Sequence, residues 1–284
     1  MSSAGSRSHA AVLPRVITPG EDGAAPPRRA RSGTSAVVAV DRLSKRFDAV
    51  TAVDDISFAI AENEFVSIVG PSGCGKSTLL RMIAGLARST EGTVRVRGRN
   101  VSGPVPDVGM VFQAPVLLPW RTTLGNILFV AEMRGERAAR YRGRALELVC
   151  LAGLDGFEHR YPYELSGGMQ QRAAICRALL LDPSIILMDE PFGALDVITR
   201  ERMGFELQKI WSISRTTVLF VTHSITEAVL LSDRVIVMTA RPGRISEVVE
   251  VDLPRPRDRR TLSDPRFVDL TAQVRDDIEA GWVD

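Results

Sequence analysis

Short apolar runs recur along the chain at Ala36 to Val40, Ile56 to Ile60 and Phe65 to Val69, each bounded by polar turn residues, and this pattern predicts strands. The stretch Gly92-Thr-Val-Arg-Val-Arg-Gly98 alternates apolar with polar and predicts a half-exposed strand. From about Thr122 to Leu181 the spacing turns helical: Leu146, Val149 and Cys150 share one face, while Ala173, Arg177 and Leu181 mark a longer helix. Beyond it, Ile185-Ile-Leu-Met188, Thr217 to Val221 and Arg234 to Met238 are continuous apolar runs, typical of parallel strands buried on both faces. A helix is expected over Ile198 to Ile213, between the first two. Strands alternating with helices predict an α/β fold with a mostly parallel sheet, and ligands of such sheets lie at the strands' carboxyl ends.

The same pattern divides the chain. Residues 1–35 are rich in Ser, Ala, Gly, Pro and Arg without apolar periodicity and read as a disordered leader. A core domain is expected over 36–254, with a helical insertion at about 114–182. Residues 255–284 read as a solvated basic linker followed by a short amphipathic helix, because Phe267, Leu270, Val274 and Ile278 fall at helical spacing.

Composition narrows the function. The 284 residues carry a formal net charge of +2, of which the leader holds +3 and the remainder −1, so nothing suggests a nucleic-acid partner. No apolar stretch approaches the roughly 18 residues of a membrane span. The scattered cysteines Cys74, Cys150 and Cys176 make neither a disulfide framework nor a zinc site, which fits a reducing compartment.

The chemistry is concentrated where the strands end. Gly70-Pro71-Ser72-Gly73-Cys74-Gly75-Lys76-Ser77-Thr78 fits G-x-x-x-x-G-K-[ST] between a strand and a helix, a loop whose backbone N–H groups converge on phosphate oxygens. Lys76 is expected to reach the β- and γ-phosphates and Ser77 to hold Mg²⁺. Cys74, beside the phosphates, is expected to be thiol-sensitive if its pKa is lowered there. Asp189 and Glu190 close an apolar strand, and paired acids at that edge divide two tasks: Asp189 holds Mg²⁺, and Glu190 orients or deprotonates the attacking water. His223 ends another strand and is placed to contact the γ-phosphate and steady Glu190. Ser166-Gly167-Gly168 opens a helix and makes a second anion site by the same backbone argument. A nucleotide kinase would share the first loop but leaves Ser166-Gly167-Gly168 unexplained.

This combination resembles the ATP-binding subunit of ABC transporters over roughly Val37 to Val251, the core domain thereby reading as an ABC ATPase domain. Gly70 to Thr78 matches the Walker A, Leu165 to Gln170 the signature, Ile185 to Glu190 the Walker B and Ala194-Leu195-Asp196 the D-loop. Gln113 matches the Q-loop glutamine, a further Mg²⁺ and water contact, and His223 the switch histidine. Phe47 stands where the family stacks an aromatic on adenine. The resemblance implies a P-loop NTPase (RecA-like) core with a mostly parallel sheet, an N-terminal antiparallel β part and a helical insertion. It also implies ATP and Mg²⁺ as cofactors, and a second copy of the chain whose signature closes on the first copy's ATP. Permease subunits in the membrane, and through them an extracytoplasmic solute-binding protein, are the implied partners, with the chain peripheral on the cytoplasmic face. Gln113-Ala-Pro-Val-Leu-Leu-Pro-Trp120 and the turn Ala240-Arg-Pro-Gly-Arg-Ile245 are similar to importers for nitrate, sulfonate and taurine. The alternatives are a soluble ABC-type ATPase of DNA repair or translation, against which stand the lack of a long coiled coil and of a second cassette, and the ABC subunit of a different transporter class.

Overall fold

The computed structural model describes residues 36–214 and 216–281. The expected leader lies outside them.

Two sheets make the frame. The first is four-stranded and antiparallel, in the order β2 (Val50–Ala61), β1 (Ala36–Phe47), β4 (Glu91–Val96), β5 (Arg99–Asn100). The second is six-stranded, in the order β10 (Ile245–Glu250), β9 (Arg234–Met238), β3 (Phe65–Val69), β8 (Thr217–Val221), β7 (Ile185–Asp189), β6 (Val108–Val111). Its strands run parallel except at the β9–β10 edge, which is antiparallel. Strands β3, β7 and β8 are buried at every position, which is why they read as unbroken apolar runs instead of alternating ones. The runs at Ala36 to Val40 and Ile56 to Ile60 are parts of longer strands. Strand β10 and the short β6 carry no comparable apolar run and went unpredicted.

Seven α-helices surround the sheets among the described residues. Helix α1 (Lys76–Ile83) follows β3, and α2 (Thr123–Met133), α3 (Ala138–Leu151) and α4 (Gly167–Leu179) form the helical segment between β6 and β7. Helix α5 (Val197–Ser214) follows β7, α6 (Ile225–Leu231) follows β8, and α7 (Pro265–Ala280) ends the described chain. No helix among the described residues is long and apolar enough to cross a membrane.

Packing explains two departures from expectation. On α3 the core face is Ala145, Leu148 and Val149, which are buried, whereas Leu146 and Cys150 are exposed. The expected face put Val149 between two solvent-facing neighbours, because a short helix with many arginines fits more than one phase of the 3.6 period. The basic segment after Leu253 is not simply a solvated linker. Arg257 is buried and donates to the carbonyls of Val229, Leu230 and Ser232 through Nη1 and of Val251 and Leu253 through Nη2. Arg255 lies over Trp211, 4.2 Å from the ring centroid, and pairs with Asp233 at 2.9 Å. Arg255 and Arg257 thus brace the chain end, while Asp258, Arg259 and Arg260 are exposed as a solvated linker would be. Helix α7 then buries Phe267, Leu270 and Val274 against the cluster built by α6, β9 and β10.

Candidate functional site

The loop Gly70 to Ser77 leaves the buried strand β3 and enters α1, so its ends are fixed by the core. Gly75 caps α1 with φ 96°, a left-handed conformation, and a Cβ there would lie 2.7 Å from the carbonyl oxygen of Ala52. Only glycine lets the loop pass so close to β2. Lys76 folds back over the loop, its Nζ donating to the carbonyls of Gly70 at 2.8 Å and Pro71 at 2.9 Å. The lysine is thus held on the loop, and among the described residues no carboxylate accepts a hydrogen bond from it. Such a loop, with a cation and a helix N-terminus converging, is built to take an anion.

Across from it, Ser77 Oγ donates to Asp189 Oδ1 at 2.8 Å. Burial raises the Asp189 carboxyl, and the hydrogen bond from Ser77 works against that rise. Two oxygen donors side by side, one a carboxylate, form the set a hard divalent cation takes, so the residues fit Mg²⁺.

Glu190 follows directly with φ 44°, a conformation a side-chain-bearing residue adopts only when its surroundings impose it. Its N–H donates to the Val221 carbonyl on β8 at 2.9 Å, and its Oε2 lies 3.1 Å from His223 Nδ1. The parallel register pairs Asp189 with Val221, so β7 and β8 deliver the carboxylate and the imidazole side by side. Gln113 arrives from the loop after β6: its Nε2 would lie 2.9 Å from a Cβ at Gly193, in the turn that follows Glu190.

Phe47 stands at the end of β1, about half exposed, with Lys45 Nζ 4.8 Å from its ring centroid. It is therefore no core residue. Ser166 caps α4, its Oγ accepting from Met169 N–H at 3.3 Å, and Gly167 and Gly168 form the first turn. Asp196 caps α5 by accepting from Thr199 N–H at 3.0 Å. The hydrogen bonds of Ser166 and Asp196 are local, and they do not join the group around the phosphate-loop residues. The Cys74 expectation is corrected: the thiol is buried and burial pushes its pKa up, despite Lys76 Nζ at 3.7 Å.

Comparison with known proteins decides the family. The ABC transporter family model matches residues 53–193. An uncharacterized ABC transporter ATP-binding protein of Methanocaldococcus jannaschii is 54% identical over 227 residues, covering 78% of this chain and 85% of the relative. The chain belongs to the ABC transporter ATP-binding family. Similar members include the aliphatic sulfonates import ATP-binding protein SsuB of Bacillus cereus, 42% identical over 86% of this chain and 96% of its own length. The taurine import ATP-binding protein TauB of a Jannaschia species is 42% identical over 85% of this chain and 92% of its own. Among solved structures, the dimeric post-hydrolysis state of the cassette MJ0796 with ADP and phosphate bound is similar at 34% identity. Its TM-score is 0.66, over 76% of this chain and all of the other. The fold of this ABC family member is accordingly the P-loop NTPase α/β fold, with the antiparallel sheet and the helical segment added to it.

Pattern reasoning missed residues behind the site. Glu227, buried on α6, accepts from Thr222 Oγ1 and pairs with Arg200 of α5. In sequence it reads as an ordinary acid in a first helical turn. Arg241 touches the phosphate loop, although the Pro-Gly turn that carries it signals only a chain reversal.

Proposed function

We propose that this chain hydrolyses ATP to ADP and phosphate as the energising subunit of an ABC importer for a small organic solute, of the sulfonate, taurine or nitrate kind. The observation that carries the ATPase is the Glu190–His223 pair, 3.1 Å apart, set at the same sheet edge as Ser77 and Asp189. The importer class is supported by the printed names of the sulfonate and taurine relatives.

In this reading Gly70 to Thr78 cradle the β- and γ-phosphates, and Lys76 turns from its two carbonyls to them. Phe47 offers its exposed ring to the adenine. Ser77, Asp189 and Gln113 would hold Mg²⁺, which when bound neutralises phosphate charge. Glu190 accepts the proton of the attacking water, and His223 keeps that carboxylate aimed while approaching the γ-phosphate. The bond from the γ-phosphorus to its bridging oxygen breaks as the water oxygen attaches, leaving ADP and phosphate. Ser166, Gly167 and Gly168 have no place in this group within one chain. They serve the ATP of a second copy, with Asp196 at the same junction, and the dimeric relatives support this arrangement.

The cassette of this reading spans 36–254, with its helical part at about 114–182 facing a permease. Asn126 braces that face: it accepts from Leu118 N–H at 2.7 Å, and its amide nitrogen lies within 3.1 Å of the carbonyls of Leu118, Arg121 and Thr122. Trp120, on the braced segment, is 70% exposed, as a partner-facing aromatic should be. The chain would therefore sit at the cytoplasmic face of the membrane through its permease, and reach the solute-binding protein only through it.

The test is capture of the tagged chain from native membranes, followed by mass spectrometry. Recovery of a multi-spanning permease supports the importer. Recovery of ribosomes or repair proteins without a membrane partner would replace it with a soluble ATPase.

A further inference from the structure

The turn between β9 and β10 packs on the phosphate loop. Arg241 Nε donates to the carbonyl oxygen of Gly73 at 3.0 Å, and Nη2 of the same guanidinium would lie 3.0 Å from a Cβ at Gly73. Two residues on, a Cβ at Gly243 would lie 1.9 Å from the Cys74 carbonyl oxygen, so the approach of the two backbones is open to glycine alone. Gly243 also joins β2: its N–H donates to Ala52 at 3.1 Å, and its carbonyl accepts from Asp54 N–H at 3.0 Å. Arg244 adds an ion pair to Asp54 at 2.6 Å. Thr239 braces the turn from inside, donating to Pro242 and accepting from Arg244 N–H, both at 3.0 Å. The Ala52 carbonyl that receives Gly243 is the atom that Gly75 must clear. Turn, phosphate loop and β2 thus close a ring of contacts around Gly73, Cys74 and Gly75.

We propose that Arg241 is a positioning residue for nucleotide phosphates, fixing the plane of the Gly73–Cys74 peptide from behind, and that Gly243 is the residue that admits it. A charged donor on a carbonyl oxygen holds the peptide plane and polarises it, which strengthens the Cys74 N–H that closes the loop on the Pro71 carbonyl at 3.3 Å. Held from the turn, the loop keeps its concave side formed before nucleotide arrives, so less ordering is left to binding. The same turn ties the loop to β2, the partner strand of the hairpin that carries Phe47. The phosphate and adenine ends of the site are thereby held at one spacing.

This inference rests on the reading of Gly70 to Thr78 as the ATP site, and the experiment separates the two. ADP binding to the full-length chain is measured by calorimetry, with Tm, for the natural protein and for Arg241→Gln, Arg241→Lys, Gly243→Ala and Lys76→Ala. Arg241→Gln is expected to raise the ADP Kd about ten-fold at unchanged Tm, the size of one charged hydrogen bond. Arg241→Lys should recover part of the loss, and Gly243→Ala, which must also displace the backbone, should reproduce it with a lower Tm. In turnover, KM for ATP should rise with kcat held within about two-fold, as for binding shared by ground and transition states. Unchanged ADP affinity in Arg241→Gln alongside its loss in Lys76→Ala overturns the inference and leaves the ATP site standing. Unchanged affinity in both overturns the site itself. A loss matched by a fall in Tm, and not recovered by lysine, marks Arg241 as merely structural and also overturns the inference.

Discussion

Thr222 Oγ1 donates to Glu227 Oε2 at 2.6 Å, inside the protein and one residue before His223. The other carboxylate oxygen faces Arg200 Nε at 3.5 Å, and Arg200 Nη2 donates to the Leu195 carbonyl at 3.0 Å. A chain of contacts therefore runs from the Ala194–Asp196 loop through Arg200 and Glu227 to the residue beside His223. Burial raises the Glu227 carboxyl, with Thr222 and Arg200 pulling the other way. A carboxyl raised in the folded state favours that state while protonated. Its contribution is whole below the unfolded value near 4.5 and is lost as pH climbs through the raised one. Glu227→Gln lacks this loss, so its stability relative to the natural protein should improve as the pH rises above about 4.5. Urea melts across that range test it, and a constant difference would refute the assignment. Arg200→Ala, which strands the buried acid, should cost on the order of 2 kcal/mol at pH 7.

Glu190→Gln keeps the shape of the side chain but removes its capacity to take a proton. ATP turnover should fall by roughly 10²–10⁴-fold, while ADP affinity stays within about two-fold, since the loop and Lys76 are untouched. His223→Ala should lower turnover less, because it removes the partner that aims the carboxylate and leaves the carboxylate itself. Phosphate release under saturating ATP and Mg²⁺ gives both numbers. Near-normal turnover in Glu190→Gln would mean that another group activates the water.

The cysteines should separate cleanly under iodoacetamide. Cys150 is exposed and should be alkylated first, although Asp155 raises its thiol. Burial raises Cys74 and pushes Cys176 up to about 12, so both should resist labelling at pH 7.5 in the folded protein. Peptide mass mapping over time reads the order. Labelling of Cys74 as fast as Cys150 would show that the phosphate loop opens far more readily than its packing suggests.

Arg257→Met should test the buried brace behind the C-terminal segment. Five backbone carbonyls lose their donor, and burial already pushes the guanidinium down to about 10. The expected cost is about 2–4 kcal/mol, read by urea denaturation. Nucleotide affinity should be unchanged, because this segment lies against α5 and α6 and, among the described residues, makes no hydrogen bond to the phosphate loop.

What the sequence made legible was whatever is written locally. Phe65 to Val69, Thr217 to Val221 and Arg234 to Met238 coincide with β3, β8 and β9 because strands buried on both faces need unbroken apolar runs. Gly70 to Ser77, Asp189, Glu190 and His223 were singled out because a strand end followed by a polar residue is a local signal, and the structure pairs Ser77 with Asp189 and Glu190 with His223. Arg241 was not, since its partner Gly73 is 168 positions away and nothing about a Pro-Gly turn says what it rests on. Arg257 was misjudged for the complementary reason: a charge run predicts solvent, and only the tertiary structure supplies carbonyls to receive it. The α3 face failed because arginine-rich helices give the period too few apolar points to fix its phase.

Glu190 owes its unusual backbone to Val221, and His223 lies just beyond that same residue. The spacing of carboxylate and imidazole is therefore set by the β7–β8 ladder and not by any loop that could relax. A solitary copy of the chain carries this pair ready-made. If two copies close on nucleotide as proposed, that closure has no need to realign the carboxylate and the imidazole, and what it adds to the pair is the second copy's Ser166, Gly167 and Gly168.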